Sequence, residues 1–183
     1  MTLRLRQLGD PILTQVAEPV TEFGTPALQN LIEEMLATLK EAQGVGLAAP
    51  QVGSPLQVII VASRPNPRYP DAPQMEPLVM LNPRPLALSD EQVLGWEGCL
   101  SVPNCRGLVA RAREVEVEYY TPEGVRQRVT WQDFPARVFQ HEYDHLLGRL
   151  FLDRQPQQLL TEAEYQAQIH SLAGGTEEQQ LPP

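Results

Sequence analysis

Residues 139–148 read FQHEYDHLLG, and they place two histidines four positions apart with a glutamate directly after the first. The chain has only three histidines, so concentrating two of them in one short window calls for a reason. Upstream, Asp133 is a candidate N-cap for a helix whose next residues include Pro135, Val138, Phe139, Leu146 and Leu147, and Gly148 is placed to end it. At about 100° per residue, His141 and His145 then stand about 40° apart, and Glu142 lies about 60–100° from each. All three share one helix face. Two imidazoles on such a face can hold one metal ion, and the glutamate beside them can act as a base on metal-activated water.

Two histidines do not complete a catalytic site, which takes three protein ligands and an open position. A third histidine six residues after His145 is ruled out, because that position is Phe151. A glutamate on a later helix is available in Glu162 or Glu164, although Glu164 also fits a capping box with Thr161. Cys99 is the stronger candidate, since GWEGCLSVP (95–103) surrounds it with small and turn-forming residues that let a thiolate approach a metal. A closed structural site made of Cys99, Cys105, His141 and His145 is the rival, and it leaves Glu142 without a task.

Working outward, the 183 residues are 42% hydrophobic, enough for one sizeable core. We expect a single domain over 1–172, followed by a disordered acidic tail over 173–183. The net charge of −9 argues against a nucleic-acid groove or an anionic membrane surface, both of which need clustered Lys and Arg. No apolar run approaches the length of a membrane span, and the first residues do not read as a signal peptide, which points to a soluble cytoplasmic protein. Two cysteines cannot found a disulfide framework.

The surest helix follows Thr25-Pro26, with apolar residues at 28, 31, 32, 35, 36 and 39 and Gly44 beyond it. Residues 44–53, GVGLAAPQVG, read as a loop. LQVIIVA (56–62) and PLVMLN (77–82) read as buried strands, and the five prolines of 64–77 as an extended loop between them. REVEVEYY (113–120), the turn TPEG and VRQRVTW (125–131) form a hairpin with one wet face. A last helix starts at Thr161. The expected class is α+β: antiparallel strands packed around a central helix bearing the His-Glu-x-x-His motif, with an N-terminal and a C-terminal helix.

GVGLAAPQ (44–51), EGCLS (97–101) and QHEYDH (140–145) occur in this order, and with them the chain resembles the peptide deformylases. GDPILTQVAEPV, LNP at 81–83, NCRGLVAR at 104–111 and LLGRLFLDR at 146–154 extend the resemblance to roughly residues 5–154. It implies removal of the formyl group from N-terminal formylmethionine, by one divalent metal, iron(II) in the cell and replaceable by zinc, nickel or cobalt. Carried over position by position, Cys99, His141 and His145 hold the metal and Glu142 moves the proton, while Gln51 and the Leu100 N–H steady the oxyanion. Gly46 admits the substrate backbone, and Val45, Phe134 and Val138 surround the methionine side chain. Arg106 is a substrate contact or, paired with Glu97, a brace for the Cys99 loop. Formylmethionyl peptides and nascent chains are the implied partners, with transient ribosome association. No family role attaches to Cys105.

Overall fold

The computed structural model describes residues 1–66 and 69–174. Helix α1 (Pro26–Glu41) begins as its sequence dictates: the Thr25 side chain accepts the Leu28 N–H, and Pro26 fills the first turn. Leu28, Ile32, Met35 and Leu39, at helical spacing, are its buried stripe.

Two antiparallel sheets carry the chain. The first has five strands in the order β1 (Gly46–Ala48), β2 (Val58–Val61), β3 (Leu78–Leu88), β6 (Glu114–Tyr120) and β7 (Arg126–Gln132). The second has three, β4 (Gln92–Cys99), β5 (Val102–Ala112) and β8 (Leu159–Leu160), in that order. All four residues of β2 are wholly buried, which explains its unbroken apolar run. Val58 and Ile60 join the cluster built on α1, whereas Ile59 and Val61 join the one built on helix α2 (Asp133–Leu146). The sheet is thus packed between the two helices. A third cluster of Cys99, Val102, Val109, Leu150 and Phe151 lies by the second sheet.

Helix α2 contributes Ala136, Val138, Phe139 and Leu146 to the core and ends at Gly148, whose φ of 67° is a left-handed cap. Its start differs from expectation. Gln132 occupies the cap position but its side chain donates to Glu114 and makes no capping bond, and Asp133 is the first helical residue, its carboxylate accepting from Arg113 Nε at 3.1 Å. An arginine of the preceding hairpin outcompetes the helix backbone for that carboxylate. Helix α3 (Glu162–Gly174) does begin with the capping box, Thr161 N donating to Glu164 and Glu164 N to Thr161 Oγ1.

Two segments read as loops are more regular. Residues 46–48 form strand β1, too short for any alternation to reveal, and a 3-10 turn follows at Ala49–Val52. Residues 95–103 belong to the long β4–β5 hairpin. Its register slips between Gly98, opposite Arg106, and Cys99, opposite Val102. The expected tail from 175 onward lies outside the described residues, and α3 includes positions 173 and 174.

Candidate metal centre

Three elements meet at one point. Strand β4 ends on Cys99 at the register slip, a device that re-aims a side chain. Helix α2 presents His141 and His145 from one face, and the 3-10 turn after β1 delivers Gln51. The donor atoms of Cys99, His141 and His145 all lie within 4.8 Å of one another, and all three residues are buried. Cys99 Sγ is 3.3 Å from His145 Nε2. Soft thiolate and imidazole donors at this separation fit a zinc- or iron-type divalent ion. Burial pushes the Cys99 thiol up, but the adjoining imidazoles, His145 foremost, pull it well below its ordinary range, which favours the thiolate form that metal binding needs.

Behind the donors stands a network that the sequence reading missed. Glu97, buried, lies with Oε2 2.9 Å from His141 Nδ1, which fixes that proton and turns the other ring nitrogen toward the site. The same carboxylate accepts from Arg111 Nε and Nη2, both at 2.9 Å, and from Arg137 Nη1 at 2.8 Å. Arg111 continues to Asp144 Oδ2 at 2.5 Å, and Arg154 also binds Asp144. Burial pushes Glu97 up, but His141 and Arg111 outweigh it and hold the carboxyl well below its usual range. The expected Glu97–Arg106 pair is not formed; Glu97 serves Arg111, Arg137 and His141 instead.

A cavity opens in front of the donors, and Gly46, Gln51, Cys99, Leu100, His141 and Glu142 are among the residues that line it. Val45, Phe134 and Val138 line it too, together with Tyr69, Trp96 and Arg137, which were not foreseen. Gln51 is held at both ends of its amide. Ala48 N donates to Oε1 at 2.8 Å, while Nε2 points to Ser101 Oγ at 3.2 Å and Cys99 Sγ at 3.5 Å. A Cβ on Gly46 would land on the Glu142 carboxylate, so only glycine fits at that strand position. Burial pushes Glu142 up to about 7 against the pull of His141 and His145, and its Oε2 has no partner. A carboxyl that exchanges its proton near neutrality, aimed at a cavity, is suited to acid–base work.

The other candidates fall elsewhere. Among the described residues Cys105 is not in the donor group, and its thiol is pushed up by burial. Glu162 pairs with Arg106 and Glu164 caps α3, so neither is a third ligand. Arg106, expected to touch substrate, is 0% exposed, bound to Glu162 and not among the cavity-lining residues.

Comparison with known proteins agrees with this geometry. Residues 2–159 match the family model described as polypeptide deformylase. Peptide deformylase 2 of Nostoc sp. is 52% identical over 166 residues, covering 90% of this chain and 93% of that protein. Peptide deformylase 1 of Bordetella pertussis is 51% identical over 148 residues, covering 81% and 84%. Among solved structures, the Met-Ala-Ser-bound class I type b peptide deformylase from Acinetobacter baumannii superposes with a TM-score of 0.83 at 51% identity, covering 84% of this chain and 98% of that one. The Thermotoga maritima peptide deformylase gives 0.75 at 36% identity, covering 84% and 97%.

Proposed function

The chain belongs to the polypeptide deformylase family, hydrolases that take the N-formyl group off N-terminal formylmethionine and release formate, and we propose that Cys99, His141 and His145 hold its divalent ion while Glu142, Gln51 and Leu100 carry out the chemistry. The observation that carries these assignments is the convergence of the three donors with Glu142 and Gln51 on one cavity. A bound divalent ion supplies Lewis acidity, the effect that makes water a nucleophile near neutral pH.

The chain's own groups do the rest. Glu142 takes the proton of the attacking water and returns it to the departing amine, a shuttle that a carboxyl near pH 7 performs in both directions. Gln51 Nε2 and the Leu100 N–H stabilise the negative oxygen that develops on the formyl group, each by about 10²–10³-fold. Strand β1 is an edge of the five-stranded sheet, so an extended peptide can pair along Gly46. Val45, Phe134 and Val138, which line the same cavity, enclose the methionine side chain.

Family membership supports iron(II) as the resident ion, with zinc, nickel or cobalt as substitutes. It likewise supports nascent chains met at the ribosome as the substrate and the cytoplasm as the place of action. Among the described residues no helix is long and apolar enough to cross a membrane.

The test compares formyl-Met-Ala-Ser with acetyl-Met-Ala-Ser on metal-loaded protein, because the proposed reaction seats the attacked carbon among Gln51, Leu100 and the donor set, where an acetyl group adds a methyl. Formate release from the first and no cleavage of the second is expected. Equal rates, or cutting of an internal peptide bond, would overturn the reading.

A further inference from the structure

Arg106 is an arginine with no exposed surface, and the groups that hold its side chain come from two other parts of the chain. Its Nε and Nη2 donate to the two oxygens of Glu162, at 2.8 and 3.2 Å, in the first turn of α3. The guanidinium carbon stands 5.0 Å from the ring centre of Tyr69, in the proline-rich segment, and 4.7 Å from that of Tyr165, on α3. One cation is therefore held between two aromatic faces and forked onto a carboxylate, an arrangement that only a planar guanidinium satisfies. Strand β8 brings α3 here by pairing Leu160 with Arg106.

Both aromatic partners lead to the cavity. The Tyr69 hydroxyl accepts the Gly98 N–H at 3.1 Å, and its ring lies 5.1 Å from that of Phe134. Tyr165 lies 5.4 Å from Trp96. Tyr69, Trp96, Gly98 and Phe134 all line the cavity, whereas Arg106, Glu162 and Tyr165 do not. Glu162 and Tyr165 also lie beyond residue 159, where the family match ends.

We propose that Arg106, clasped by Glu162 and Tyr165 of α3, is a positioning residue that sets the aromatic wall of Tyr69 and Trp96, and so determines how tightly the formylmethionyl peptide is held. The inference rests on the function argued above. Glu162 neutralises the buried guanidinium; without that charge the cation is drawn toward water, leaves its place between the rings and removes the backing of Tyr69. Neither Tyr69 nor Trp96 is among the groups assigned to metal binding, proton transfer or the oxyanion, so loss of the wall weakens binding and spares the chemical step.

The test uses full-length, metal-loaded protein and formyl-Met-Ala-Ser. The double variant Glu162→Gln/Tyr165→Leu raises KM by about threefold or more with kcat within about twofold, and Glu162→Gln alone, which leaves the α3 side chains otherwise intact, moves KM the same way. Affinity for the product Met-Ala-Ser, read through tryptophan fluorescence without turnover, falls in parallel, and metal content does not change. In a Tyr69→Ala background the effect of the double variant is diminished, because the part of the clasp that acts through Tyr69 is already lost and only the contact of Tyr165 with Trp96 remains. An unchanged KM and product affinity, or an undiminished effect in the Tyr69→Ala background, overturns the proposal. Failure of the wild type to release formate counts against the function itself, and the product-binding comparison separates the two.

Discussion

Glu97→Gln keeps the shape of the side chain and removes its charge, which makes it the most informative single change outside the donor set. Its carboxylate lies within 2.8–2.9 Å of four donor nitrogens: Arg111 Nε and Nη2, Arg137 Nη1 and His141 Nδ1. The amide has one oxygen to accept with, and its NH₂ faces donors. Residue 97 is 3% exposed, so water cannot take over the lost bonds. Breaking one side of a buried ionic cluster costs about 3–5 kcal/mol. For a chain of this size each kcal/mol shifts Tm by about 2–4 °C, which gives a fall of roughly 6–20 °C. His141 also loses its orienting acceptor, and metal affinity drops about 10–100-fold. Thermal melts of metal-loaded and chelated protein, together with a competitive metal titration, measure both effects. A Tm within about 2 °C of wild type with metal affinity within about twofold refutes the reasoning, since the cluster would then organise neither fold nor site.

Cys99→Ala loses tightly held metal and Cys105→Ala keeps it, measured as metal per chain after dialysis; equal loss from both contradicts the donor set. Acid stability follows from Glu97 and Asp144. Burial pushes both carboxyls up, but for Glu97 His141 and Arg111, and for Asp144 Arg154 and Arg111, hold them below their ordinary values. A carboxyl depressed in the folded state stabilises the protein above its unfolded pKa and loses that contribution as pH falls through the folded one. Denaturation midpoints therefore decline as pH falls below about 4, after the gain between neutrality and about pH 5 that Glu142 contributes by taking up its proton, whereas a midpoint that keeps rising below about pH 4 contradicts the ionised cluster.

Much of this architecture is legible in the sequence where one rule acts alone. Helix α1 has its cap, its proline and its stripe within 16 residues, and the β6–β7 hairpin has apolar and charged residues alternating over Glu114–Glu118 before a turn. The donor residues are legible for a different reason, since their spacing on α2 is local and the match of EGCLS to a known family supplies Cys99. The β4–β5 hairpin is hidden because its glycines imitate turns: Gly95 is a strand residue whose missing side chain makes room for Arg137. The clusters around Glu97 and Arg106 are hidden because their partners lie 14–59 positions away and only the fold brings them together. Arg106 shows the cost of carrying a role over by position: its place in the motif suggested a substrate contact, and its burial directs it to Glu162.

The most direct test of the proton-transfer role at the centre of the account is Glu142→Gln, with kcat for formyl-Met-Ala-Ser and metal content measured on the same preparation. Glu142 lies beside the donors without being one of them, and its Oε2 is buried without a partner. The amide keeps the shape and cannot move a proton. Full metal content with kcat lowered by about 10²–10⁴-fold or more is expected. A fully metallated variant that keeps more than about a tenth of wild-type kcat, a barrier change under about 1.4 kcal/mol, contradicts the account.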